Sequence, residues 1–219
     1  MARIPVATRD TVPTHQVEVF DELFGTGEAP HYGPGSVLAH VPELSKRNTA
    51  LNNYLRDDSS LPKKAQEFAM IVTAREMDCQ HIWNAHAGSA REAGVEDETV
   101  DALREEEELF DLPSDEEAVI NYARSLIQNH YASRGSYQMA LEHFGLQGLV
   151  ELTMIIGQYS MLAMTINAFD TNLLPDRTEP RLRPHEVRQH YLLPHDHRRR
   201  STGRGPGRGG SFGFITRIG

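Results

Sequence analysis

Residues 67–86 read EFAMIVTAREMDCQHIWNAH, and the whole chain is best understood outward from them. The first half sets Glu67 ahead of the apolar run Phe68 to Val72, and the second half spaces Cys79, Trp83 and His86 along one line. Cys79 and His86 are seven residues apart, nearly two turns at about 100° per residue, so they share a helix face. On that wheel Cys79, Ile82, Trp83, His86, Ala90 and Ala93 fall within an arc of about 100°, and His81 points the opposite way. Glu67 shares its own arc with Met70, Ile71 and Ala74. A carboxylate on an apolar face must find a partner or take a proton. His86, on the next helix, is the nearest candidate.

Outward from this stretch every strong pattern is helical, and no strand pattern competes. Pro42 to Asp57 predicts a helix with Pro42 in its first turn. Ser60 is placed to cap the next helix, with Pro62 in its first turn, and Asp78 to cap the one after, which should stop at Gly94. A short helix follows from Glu96 to Leu103. Ser114 with Asp115, Glu116 and Glu117 predicts a helix start whose negative charge suits the dipole, running to about His130. Ser136 to Phe144 is another short helix, ended by Gly145. Leu146 to Asp170 reads as the longest helix, apolar on nearly all sides and therefore central. Glu151, Gln158 and Asn167 inside it argue for a buried helix rather than a membrane span.

The expected organisation is an irregular, Pro/Gly/Thr-rich arm (1–36) with a short helix near Val17 to Phe24, an all-α domain of six to seven helices (37–174), and a flexible tail (175–219). The tail holds seven Gly and five Pro. Charge divides the same way: ten Arg against four acidic residues from Asp176 onward, 12 Lys/Arg against 27 Asp/Glu before it. An acidic body does not displace phosphate counterions, so only the basic tail is suited to nucleic acid or another acidic partner. A single cysteine permits no internal disulfide, and the first residues hold no apolar export core; the expected compartment is the reducing cytoplasm.

Glu151 repeats the situation of Glu67, a carboxylate on an arc with Met154, Ile155 and Leu162, and could close the same cavity. Trp83 is a candidate substrate platform beside its ordinary role in packing. Arg75, about 80° around the wheel from Glu67, is a candidate carboxylate clamp. Cys79, His81 and His86 cannot form a three-ligand metal site, since His81 projects from the far face, and no metal is expected.

The sequence AREMDCQHIWNAHAGSAREAGV, with Arg75, Asp78, Trp83 and His86, resembles the carboxymuconolactone decarboxylase family. The resemblance extends from GPGSVLAHVPELSKR to GLVELTMIIGQYSMLAMTINAF, about Gly33 to Leu174. It implies an alkylhydroperoxidase D-like helical fold, a homotrimer or homohexamer, and a cofactor-free lyase acting on a small carboxylated lactone or similar acid. His86 would then be general acid or oxyanion donor, and Glu67 its orienting partner and proton relay. The wider superfamily is similar in a Glu, eleven residues, Cys-x-x-Cys, three residues, His pattern, which Glu67, Cys79 and His86 match. Ile82 stands where the second cysteine would be. A thiol-dependent hydroperoxide reductase built on Cys79 is thus the alternative, needing an external thiol to resolve it. A non-catalytic oligomeric scaffold is the third reading.

Overall fold

The computed structural model describes residues 2–25 and 28–183. Among them are eight α-helices and no strand, the all-α architecture that the helical periodicity predicts. They are α1 (Val17–Phe24), α2 (Gly33–Leu38), α3 (Pro42–Asn53), α4 (Lys63–Glu76), α5 (Gln80–Glu92), α6 (Asp97–Glu105), α7 (Ser114–Asn129) and α8 (Arg134–Phe169). Between α3 and α4, Tyr54–Asp58 winds as a short π-helix.

The hub is α4, which packs against α5, α7 and α8. Every residue from Ala65 to Arg75 is buried, so this helix is surrounded on all sides. Phe68, Met70 and Ile71 lose all exposure there, and truncating Phe68 to Ala would cost about 3–5 kcal/mol. The sequence pattern gives the central position to the last helix instead. That helix is apolar on nearly all sides, but one face, Leu146, Val150, Met154, Met161 and Met164, is exposed. Apolarity says a face can be buried; neighbours within the chain decide whether it is. Length and hydropathy alone would let α8 cross a membrane. Its Gln158 side chain donates to Asn48 at 2.6 Å and Asn167 to the Met77 carbonyl at 2.9 Å, as in a helix packed on protein.

Several predicted helix ends fall where expected. Gly94 follows α5 with φ +100°, and α8 breaks at Gly145 (φ 66°, ψ 179°), where the two helices read from the sequence meet. Asp115, Glu116 and Glu117 occupy the first turn of α7. Glu116 is buried there against Lys64 Nζ at 2.7 Å. Asp78 departs from its predicted role: the residue in the cap position of α5 is Cys79, which makes no side-chain cap. Asp78 instead turns left-handed (φ 48°) and accepts a hydrogen bond from Arg75 at 3.1 Å.

The N-terminal arm lies on the body. The Arg3 backbone N–H donates to the Phe169 carbonyl at 3.0 Å, and Ala7, Val12, Phe20 and Ala29 of the arm form a small buried cluster with Ala39 of the body. Residues 175–183, which composition groups with the tail, run back over α5. Trp83 Nε1 donates to the Pro180 carbonyl, Asn84 to that of Glu179, and the Leu182 N–H donates to Gln80. The rest of the basic tail lies outside the described residues.

Candidate functional site

The pairing of α4 with α5 places Glu67 opposite His86. His86 Nδ1 and Glu67 Oε2 are 2.7 Å apart, both groups buried. The other carboxylate oxygen, Oε1, has Lys63 Nζ at 3.3 Å and Arg56 Nη2 at 3.7 Å. These are charge contacts, since neither cation makes a directed hydrogen bond to Oε1. Burial pushes the Glu67 carboxyl up, but the His86 hydrogen bond and charge, followed by Lys63, more than offset it and hold it below the usual carboxylate range. Glu67 is therefore ionised at neutral pH. With Nδ1–H donated to Glu67, the Nε2 lone pair of a neutral ring is the one that can take a proton.

Tyr159 on α8 closes the pair from a third helix. Its ring meets His86 edge-on, centroids 5.1 Å apart at 82°. Burial, augmented by the Glu67 charge and opposed by Arg56, pushes the phenol up to about 12. It is a neutral O–H group at any ordinary pH. The site thus combines an imidazole, a carboxylate that orients it, a phenol and two cations.

The other candidates stand apart from this pair. Arg75 is almost wholly buried, donating to the carbonyls of Arg183 at 2.6 Å and Arg104 at 3.2 Å and to Asp78. Its guanidinium joins the 175–183 segment to α6. Trp83 is fully buried with its N–H given to Pro180. Cys79 is also fully buried, its N–H donating to the Ala74 carbonyl at 2.8 Å. Two helical turns from His86 correspond to about 10 Å along the axis. Ile82, one turn from His86, holds the position from which a side chain reaches that ring. His81 faces away, as its wheel position predicts. Its Nε2 lies where a Cβ on Gly33 would come within 2.3 Å, so only glycine, at φ +62°, lets the arm pass. Burial lowers the His81 pKa and keeps its ring neutral.

Glu151 faces a different set of groups. Oε1 accepts from Tyr54 Oη at 2.9 Å and Gln147 at 3.0 Å; Oε2 accepts from Ser59 Oγ at 3.0 Å, Ser60 N at 2.8 Å and Ser60 Oγ at 2.6 Å. Its carboxylate ties the two ends of the 54–60 turn to α8, beside an exposed apolar groove of about 560 Å³ lined by Leu51, Leu146, Val150 and Met154. Despite burial, these donors hold Glu151 down at about 2.

Sequence reasoning missed Arg56, Lys63 and Tyr159. Lys63 lies four residues before Glu67, a spacing that brings side chains together on a helix, so its signal was present. Arg56 sits on a π-helical turn and Tyr159 on α8, and no local period connects either to His86. Among the described residues no group of three or more His, Cys, Asp or Glu converges in a metal-holding arrangement.

Residues 42–124, from α3 into α7 and including Glu67, Cys79 and His86, match the carboxymuconolactone decarboxylase family. Over that segment the chain is similar to the family. No curated protein matches it in sequence. Among solved structures, it is similar to a peroxidase-related protein from Silicibacter sp. TM1040 (TM-score 0.60, 16% identity, covering 80% of this chain and 93% of that one). It is also similar to a putative antioxidant defence protein AhpD from Agrobacterium tumefaciens (TM-score 0.58, 16% identity, 64% and 97% covered). A third is the debrominase Bmp8, a cysteine-to-alanine variant in complex with 2,3,4-tribromopyrrole (TM-score 0.57, 12% identity, 80% and 92% covered). At these identities the likeness establishes the fold.

Proposed function

We infer that the chain is a cofactor-free carboxy-lyase that acts on a small carboxylated lactone or similar activated acid. The observation that carries this reading is the buried Glu67–His86 pair at 2.7 Å, with cations and a neutral phenol around it. In a substrate whose carboxylate is conjugated to a carbonyl, the electrons of the breaking carbon–carbon bond move into the carbonyl and carbon dioxide leaves. The resulting enolate must be stabilised and then protonated. Tyr159 offers an O–H to the developing oxyanion, and the His86 Nε2 proton goes to carbon. Glu67, ionised against Nδ1–H, balances the charge on the ring while it carries that proton, and water restores it. One proton is consumed per carbon dioxide released. The test is carbon dioxide release from a panel of lactone acids; activity unchanged in His86→Ala would refute the assignment.

A thiol-dependent reductase is the second reading, favoured by the peroxidase-related and antioxidant descriptions of the structural neighbours. Against it stand the full burial of Cys79 and the hydrocarbon of Ile82 one helical turn before His86, where a second thiol would stand. Peroxide turnover that is abolished in Cys79→Ser would support it. On the lyase reading, wild type turns over no peroxide, and Ile82→Cys, which sets a thiol one turn from His86, is the variant that gains such turnover. The exposed stripe on α8 supports the expected homotrimer or homohexamer; Met154→Glu should then shift the mass measured by light scattering to that of smaller species.

A further inference from the structure

We propose that Arg56 and Lys63 form a carboxylate-binding pair at the entrance to the Glu67–His86 site. The proposal rests on that pair being the reactive one, and it adds the residues that select the substrate's charge.

Charge and geometry carry the argument. Glu67 has no exposure, whereas the Arg56 and Lys63 side chains keep 37% and 50% of theirs. Two cations therefore reach from solvent toward one buried carboxylate, leaving a surplus of one positive charge when His86 is neutral. Neutralising Glu67 alone would need only the closer cation. At 3.7 Å, Arg56 Nη2 lies beyond hydrogen-bonding range of Oε1, so its contact uses none of the guanidinium's directed donors. A guanidinium that spends no donor on Glu67 and meets the Tyr159 hydroxyl has further N–H groups with which to grip a carboxylate, and the neighbouring ammonium adds a point charge.

The backbone at Arg56 is built for placement. Arg56 sits within the π-helical turn Tyr54–Asp58, a local widening that frequently marks functional positions. Glu151 holds this turn from both ends, through Tyr54 on one side and Ser59 and Ser60 on the other. With the turn braced against α8, the Arg56 charge is fixed beside Tyr159 and Glu67. A carboxylate held there makes the site neutral around a neutral His86, and the one charge that remains when His86 is protonated is that of the proton later given to carbon. As carbon dioxide leaves, the negative charge passes to the enolate and stays within reach of the same cations.

The test separates binding from turnover. Succinate is titrated into the full-length protein by calorimetry, with dimethyl succinate and inorganic phosphate in parallel arms. The expected result is salt-sensitive binding of succinate and none of the ester. Binding should weaken at least tenfold in Arg56→Met and in Lys63→Gln, and be partly retained in Arg56→Lys, with thermal melts confirming that each variant folds. Succinate affinity unchanged in a folded Arg56→Met, Lys63→Gln double variant would overturn the proposal, as would equal affinity for the ester. Phosphate binding as tight as succinate binding would overturn the carboxylate assignment. Carboxylate-selective binding by a chain that releases no carbon dioxide would refute the lyase reading and leave the pair standing. Turnover with unchanged KM in Arg56→Met would do the reverse.

Discussion

Glu67 and Glu151 are both buried carboxylates that precede apolar helical runs, yet their surroundings give them opposite uses. Glu151 is enclosed by neutral donors, three hydroxyls, a backbone N–H and an amide, all aimed at its oxygens. Such a shell stabilises a fixed charge and offers no group able to exchange a proton with it near neutral pH. Glu67 has one hydrogen-bond partner, an imidazole, and its second oxygen faces cations without directed bonds. An imidazole does exchange protons near neutral pH. One carboxylate holds a turn in place and the other holds an imidazole, the proton carrier of the proposed reaction.

The largest effect that would test this contrast is on turnover. Glu67→Gln should lower carbon dioxide release about 100-fold or more, the contribution typical of a positioned acid–base group, with the melting temperature little changed; a loss below tenfold would break the contrast. Glu151→Ala should do the opposite. Stranding the donors of the turn costs about 3 kcal/mol, or about 6–12 °C in a domain of this size, while kcat at saturating substrate is kept and KM rises through Arg56. Ser60→Ala, which removes the shortest of those bonds, should cost about 1 kcal/mol by chemical denaturation.

The pH dependence is subtler. The Glu151 pKa is depressed to about 2, so its stabilisation is fully present above the ordinary carboxylate value of about 4.3 and is lost as pH falls toward 2. The stability difference between wild type and Glu151→Gln, followed by melting temperature, should therefore be constant near neutrality and shrink across that acid window. A difference that stayed constant down to about pH 2 would mean that the carboxylate charge is not what holds the turn.

Much of this was legible locally. The helix starting at Ser114, the stop at Gly94 and the break at Gly145 follow from capping, charge and backbone freedom, which act within a few residues. Glu67 with His86 was legible because each sits on an apolar arc and the link between their helices is short. The grouping of Glu151 with them was not resolved by the same logic: an apolar arc shows that a carboxylate is buried, not which donors it meets. Arg75 illustrates the same limit. Its wheel position is compatible with a clamp, and the carbonyls of Arg104 and Arg183 that engage its guanidinium come from distant segments.

The amino-acid order by itself determined the helices, the facing of Glu67 toward His86, and the absence of a second thiol at Ile82, because each depends on spacing along one or two adjacent helices. It took the packing of the whole chain to make α4 rather than α8 the hub, to set Glu151 as the brace of a turn, and to bring Arg56 and Tyr159 beside the Glu67–His86 pair. These depend on which surfaces meet across the chain, and a helical period fixes the direction of a side chain but not the group waiting opposite it.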